Sequence, residues 1–311
     1  MSMLRATALG CALLAAGLAQ AQSLRLMTGP QGGSWYPLGG AIKNIMENNI
    51  DGVSVQVMPG GGIANVKAVE GGTAQLGFAN SVSTVDAIAG KPPFDTAAEN
   101  VCNVATLYPQ YFQVVGLADE GFGSPADFGG KSLAAQKKGN TGEAITGHML
   151  QAYGMSYDDM SRVNYGSYTD SVALMKDGNA QIFTLGTTVP AGAIMDLAAA
   201  RDITLVPIPD DGLAAMQEIN AGYQRAIVPA GSYPGQDEDV PTIGYATHVI
   251  AQCDLDADLV YGMLSAMYEN VGDLAAIAKA IEGIDPARMA TETGVPLHPG
   301  AQRFYEEHGV L

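Results

Sequence analysis

Three cysteines, one tryptophan and four histidines are all this chain holds of the residues that most often build metal centres, redox sites and aromatic platforms. The histidines, His148, His248, His298 and His308, have no ligand-like spacing, so no metal and no cofactor is expected. No serine stands in a G-x-S-x-G elbow. Gly129–Ser132 reads GGKS, but the leading glycine of a phosphate loop falls on Pro125. Asp254, Asp256 and Asp258 have the alternation of a calcium loop, yet Leu259 takes the required glycine position and Ser265 that of the bidentate glutamate. These acids instead favour the start of a following helix through its dipole. Basic residues are also scarce. Fifteen Lys and Arg face 32 Asp and Glu, a net charge of −17, which argues against nucleic acid or an anionic membrane as partner. No catalytic residue emerges from this survey.

What is present begins with a leader. Arg5 is the only charge before an apolar stretch, Ala6–Ala19, that leads to the small-residue signature Ala19-Gln20-Ala21. The stretch falls short of the roughly 20 apolar residues of a membrane anchor, and no later run is long enough either. Residues 1–21 read as a removed signal peptide, which places the mature protein in the periplasm with no membrane insertion of its own. Two cysteines then remain, Cys102 and Cys253, both in apolar, strand-like surroundings. Export permits a disulfide between them, and free buried thiols suit the same surroundings.

The most informative segment is Leu24–Gly40, LRLMTGPQGGSWYPLGG. A short apolar run ends in a glycine-rich turn. A helix follows, with Pro37 in its first turn and Leu38, Ala41, Ile42, Ile45 and Met46 along one face. Strand, turn and helix in this order leave backbone N–H groups free to meet an anion, although a glycine-rich turn is also an ordinary βα connection. Strand and helix patterns alternate along the rest of the chain, the mark of an α/β protein whose sheet is covered on both faces. Val101–Gly116 is an apolar stretch long enough to cross between two lobes, and Asn140 and Glu143 have capping-box spacing. Length suits two lobes, divided as 22–110, 111–244 and a return over 245–311. The links are expected at Tyr108–Val115 and in the Pro- and Gly-rich segment Pro229–Thr242. Turns rich in Gly, Ser, Thr and Asn recur at strand ends, where open α/β sheets bind ligands. They describe a binding cleft with little acid–base machinery.

At this level of detail the chain resembles the TAXI-type solute-binding proteins of TRAP (tripartite ATP-independent periplasmic) transporters. TGPQGGSWYPLGGAI corresponds to that family's opening TGGxGGxYYPLGGAL turn. GGGIANVKAVEGGTAQLGFANS, LYPQYFQVV, GSPADFGGKSLAAQ, GSYPGQDEDVPTIGY, DADLVYGMLSAMYEN and LHPGAQRFYEEHG follow in order. The resemblance implies a two-lobed, type II periplasmic-binding-protein fold with mixed sheets, flanking helices and a hinge. It also implies a small organic anion as ligand, a C4–C5 dicarboxylate, a keto or hydroxy acid or a glutamate-like compound, passed to the permease subunits of the transporter. The first turn carries over Gly33, Ser34, Trp35 and Tyr36 as site residues, and the polar strand-end turns of the first lobe add Asn65 and Ser81. Gln136, Thr141, Gly142, Thr187 and Thr188 complete the set from the second lobe.

Plainer roles stand beside these. Ser34, Ser81 and Thr141 suit helix caps, Trp35 suits core packing, and Lys137 and Lys138 suit a solvated loop. Two stretches depart from the family pattern. Gly139-Asn140-Thr141-Gly142-Glu143 replaces G-S-G-T-E, and Gln181-Ile182-Phe183 replaces D-A-F-F. The alternatives are a binding protein for an ABC permease or a sensor kinase, and an exported enzyme on small acids using Tyr36 and a cleft carboxylate.

Overall fold

The structure, a computed structural model, describes residues 22–29 and 34–311. The leader over residues 1–21 and the site candidate Gly33 lie outside the described residues.

Strands and helices alternate through most of the chain. β1 (Gln22–Met27), α1 (Trp35–Asn49), β2 (Val53–Met58), α2 (Gly62–Glu70), β3 (Leu76–Asn80) and α3 (Ser81–Ile88) come first. A 16-residue strand β4 (Cys102–Leu117) then leads to β5 (Ser132–Gln136), α4 (Thr141–Ala152), β6 (Arg162–Gly166), α5 (Tyr168–Lys176) and β7 (Ile182–Thr187). Next are α6 (Gly192–Ala198), β8 (Ile203–Leu205), α7 (Asp210–Ile219) and β9 (Gln224–Val228). The 12-residue β10 (Val240–Ala251) returns to α8 (Ala257–Glu269), α9 (Val271–Ile277), α10 (Pro286–Met289) and α11 (Pro299–Glu307). Local sequence explains the elements. In β1 only the alternate residues Leu24 and Leu26 are fully inside, whereas every residue of β3 is buried, as period-two patterning requires of a half-covered and a central strand. Leu38, Ile42, Ile45 and Met46 form the buried stripe of α1.

The strands form one ten-stranded mixed sheet in the order β2-β1-β3-β10-β4-β7-β5-β6, with β8 on β4 and β9 on β10. The mixed α/β architecture with flanking helices expected from the sequence is borne out, and only the plural of its sheets is corrected, to one continuous sheet. β4 and β10 are long enough to belong to both ends, so the two groups of parallel strands are hydrogen-bonded through them. Tyr108–Phe112 pairs with Ile243–Thr247 at the crossing. The proposed second link is also corrected, because residues 229–239 join β9 to β10, which pair with each other. The segment closes a hairpin inside the second half, and the second crossing is β10 itself.

Among the described residues four apolar cores lie against the sheet, two per half. Trp35, Leu38, Phe78, Val260 and Phe304 belong to one, Ile63, Val66, Phe94 and Ile250 to another. Phe112, Ile145, Met149 and Tyr223 form the third, and Phe183, Leu185, Ile194 and Tyr233 the fourth. A disulfide joins Cys102 to Cys253 with Cα atoms 5.0 Å apart, which resolves the alternative left open by the sequence. Among the described residues no helix is long and apolar enough to cross a membrane.

Candidate ligand site between the two halves

Four helices begin at one place. The backbone of Gly60 donates to the Gly29 carbonyl at 3.4 Å, and Gly29 abuts Trp35 at the start of α1 so closely that a Cβ there would lie 2.9 Å from the Trp35 Cβ. Gly61 and Gly62, opening α2, lie against Asn140 and Thr141, which open α4. The Ser83 and Thr141 hydroxyls, from α3 and α4, are 2.8 Å apart. Side chains at Gly61 or Gly62 would collide with the other half, so glycine permits this approach. None of the four starts receives a hydrogen bond from its N-cap side chain. The capping box expected from Asn140 and Glu143 does not form. Ser34 sits at an N-cap without capping, and Ser81 and Thr141 are the first residues of their helices, with Asn80 and Asn140 at the cap positions.

The sequence-derived candidates divide by what their side chains touch. Asn65 is fully buried. Its amide donates to the Thr28 carbonyl at 2.7 Å and the Phe78 carbonyl at 2.8 Å, and its oxygen accepts from the Gly61 N–H at 3.0 Å. It braces the ends of β1 and β3 and the start of α2. The Ser81 hydroxyl accepts from the Ala246 N–H at 3.0 Å and ties α3 to β10. Trp35 is buried and stacks on Phe78 with ring centroids 5.5 Å apart. Ser34 is exposed and Tyr36 half-buried at the mouth of the same turn. On the other side Gln136 packs against Gly142, and Thr187 and Thr188 are half-buried at the end of β7.

The floor comes from residues the sequence reading passed over. Gln110 donates to the Thr247 hydroxyl across the β4–β10 pair, and Tyr108 is the register partner of Thr247. Burial pushes the Tyr108 phenol above its ordinary value, opposed by the neighbouring Ser34, Thr247 and Trp35. Among the described residues its hydroxyl oxygen has no hydrogen-bond partner of good geometry, and neither has the buried Asn80 Oδ1. Tyr245 packs its hydroxyl on Gly186 at the end of β7, and the Tyr168 hydroxyl donates to the Gly186 carbonyl at 2.8 Å. Burial drives the Tyr245 phenol far up, with Tyr168 and Tyr108 adding to the effect. Phenols, amides and hydroxyls thus meet uncapped helix starts. The available signal was polar residues at alternate positions inside long apolar strands, Tyr108 and Gln110 in β4, Tyr245 and Thr247 in β10.

A cavity of about 960 Å³ adjoins this floor, sharing Tyr108, Gln110 and Tyr245 with it, and touches only Ser81 of the expected residues. It is bounded by Val85 and Ile88 of α3, by Ile227, and by Pro109 and Tyr111, which alternate along β4 with Tyr108 and Gln110. Among the described residues no three His, Cys, Asp or Glu side chains group as a metal-binding set.

Comparison with known proteins bears on this arrangement. The profile described as the NMT1-like family matches residues 26–309. Among solved structures, PhnD1 from Prochlorococcus marinus in complex with methylphosphonate aligns over 93% of this chain and 99% of its own, at 12% identity and a TM-score of 0.55. XAC2383 from Xanthomonas citri bound to ATP aligns over 93% and 96%, at 12% identity and 0.53. An ancestral arginine-binding protein bound to arginine aligns over 84% and 98%, at 14% identity and 0.52. The shared architecture is the periplasmic-binding-protein fold.

Proposed function

This chain belongs to the NMT1-like family, and from that premise we propose that it is an exported solute-binding receptor. It captures a small organic anion between its two lobes and hands it to a membrane permease. The observation that carries the reading is the meeting of four uncapped helix starts beside the Tyr108 hydroxyl and Asn80 oxygen, which have no partner among the described residues. Free N–H groups at helix starts, at the positive end of the dipole, bind an anion without a lysine or arginine. The described residues gathered there are amides, phenols and hydroxyls, a set that suits binding rather than catalysis.

The lobes are 22–110 with 245–311, and 111–244. Residues 1–21 direct export to the periplasm. The ligand is a C4–C5 dicarboxylate, a keto or hydroxy acid or a glutamate-like compound, and the partner is a TRAP permease, as the family resemblance implies. Delivery to an ABC permease or a sensor kinase is the second reading, which the same cleft would suit. A gene for a fused large membrane subunit beside this one favours TRAP, and a gene for an ATP-hydrolysing subunit favours ABC.

A thermal-shift screen of dicarboxylates, amino acids, keto acids, methylphosphonate, sugars and metal cations tests the ligand class. An organic anion present at 100 times its Kd is expected to add about 2.7 kcal/mol to stability. Stabilisation by a sugar or a cation alone would overturn the reading.

Tyr108→Phe separates binding from folding. Losing a hydrogen bond to the stabilising anion lowers affinity by about 0.5–1.5 kcal/mol, or up to about 3 kcal/mol if the bond is charge-assisted. Stability in the absence of anion is expected to hold or rise, because the substitution removes a buried hydroxyl with no partner among the described residues. Calorimetry and urea melts on the same preparation check both. Unchanged affinity would remove Tyr108 from the site.

A further inference from the structure

α3 is the flank along which the two halves touch, and it carries a buried acid. The Asn220 amide donates to the Val82 carbonyl at 2.8 Å, and the Lys91 ammonium to the Ile219 carbonyl at 2.9 Å. Ser83 meets Thr141 on the same helix. Between these cross-contacts lies Asp86, 6% exposed. The groups that face it are the Asn220 amide, Lys91 just beyond the end of its own helix, and Tyr223 from the opposite half. His148 stands behind Tyr223, its Nδ1 2.7 Å from the Tyr223 hydroxyl. The tyrosine is fully buried, and Lys91 already uses its ammonium on Ile219. Burial raises the Asp86 carboxyl from 3.8 to about 6, against the pull of Asn220 and Lys91.

We propose that Asp86 is a proton-operated latch on lobe closure: seating the Ile219–Tyr223 turn against α3 strips water from the Asp86 carboxyl, so the closed form takes up a proton and is favoured in acid. The inference rests on the reading of two lobes that open and close around a ligand, and adds a regulator to it. Linkage gives the sign. A group whose carboxyl titrates higher in the closed form binds more protons there, so closure strengthens as pH falls through that value. Taking the ordinary carboxyl value of 3.8 for a water-exposed Asp86 in the open form, and about 6 where α3 and the turn bury it, the closed-to-open ratio rises about tenfold from pH 7.5 to pH 5. His148 acts in the opposite sense, since burial, and then Lys91, lower its titration.

The test uses nitroxide labels at cysteines placed at the exposed Lys67 on α2 and Gln151 on α4, with the inter-label distance read by pulsed electron resonance. The His148→Gln protein keeps a hydrogen-bonding group for Tyr223 and removes the opposing titration. It is expected to shift its distance distribution towards the short form by about tenfold in population between pH 7.5 and pH 5. Adding Asp86→Asn, which keeps the shape and the amide contact, is expected to abolish the pH response. L-glutamate and α-ketoglutarate added at pH 7.5 report closure independently. Closure with either anion but no Asp86-dependent pH response overturns the latch and leaves the receptor reading standing. A single distance under every condition overturns the latch together with lobe closure. A shift to the long form in acid reverses the sign and overturns the latch.

Discussion

Replacing Cys102 and Cys253 together by alanine is expected to lower the unfolding free energy by up to about 5 kcal/mol. The bridge closes a loop across a sequence separation of 151, and chain entropy gives about that figure for so long a loop. The folded state contributes little, because Cys102 is already the register partner of Ala251 in the β4–β10 pair. Its neighbours stay in place without the covalent link. The effect therefore acts on the unfolded chain, and it bears on the two strands that connect the halves. Anion affinity is expected to survive, since Cys102 lies six residues along β4 from Tyr108, roughly 20 Å of strand. Urea melts of the double variant, and of the unaltered protein with and without reductant, measure the loss. An unchanged midpoint would mean that the unfolded chain is already compact enough to make the bridge redundant.

The bridge also marks where sequence reasoning stops. Leu24 and Leu26 in β1, and Leu38, Ile42, Ile45 and Met46 in α1, announce their elements because burial follows a local period. The same holds for most of the alternating pattern, and it was enough for the fold class. A contact between residues 102 and 253 has no local signature. Neither has the floor of the site, where Tyr108, Gln110, Tyr245 and Thr247 become neighbours only through the register of two distant strands. Composition misled at one place. Proline and glycine in residues 229–239 suggested a link between lobes, but such residues serve a hairpin equally well.

Candidates drawn from the turns were visible in the sequence as polar strand-end residues, and the structure gives them mixed surroundings. Polar residues at strand ends have two uses, to brace the backbone or to face a ligand, and the sequence does not distinguish them. Asn65 and Ser81 turn inward to main-chain partners. Asn140 had the spacing of a cap, yet its side chain lies against Gly61 of the other half, which no local rule contains. The glycines at 61 and 62 were visible as a flexible turn. Their reason, the close approach of α4, is a property of the assembled fold.

His248→Gln is expected to flatten the acid end of the stability curve. His248 is fully buried on β10, with Nε2 3.1 Å from the Thr84 hydroxyl and Nδ1 3.0 Å from the Asn103 amide oxygen. No acid faces it in this network, and burial pushes its titration down to about 3. The unfolded chain takes up this proton near the ordinary histidine value of about 6.5, whereas the folded chain resists until about pH 3. Stability from the neutral imidazole is thus complete above about pH 6.5 and drains as pH falls towards 3, by about 1.4 kcal/mol per pH unit. Between pH 7.5 and pH 4.5 the loss from this one group is about 2.7 kcal/mol. Asp86 works against it, because its raised carboxyl penalises the folded state at neutral pH and is relieved as pH falls through about 6. The comparison must therefore be the difference between His248→Gln and the unaltered protein at each pH, in which the Asp86 contribution cancels. Glutamine is expected to cost stability at pH 7.5, where it replaces a ring with a settled hydrogen-bond network, and to narrow or reverse that gap by pH 4.5. Urea melts across this range supply the difference, and a gap constant with pH would show that the imidazole is not held neutral by the fold.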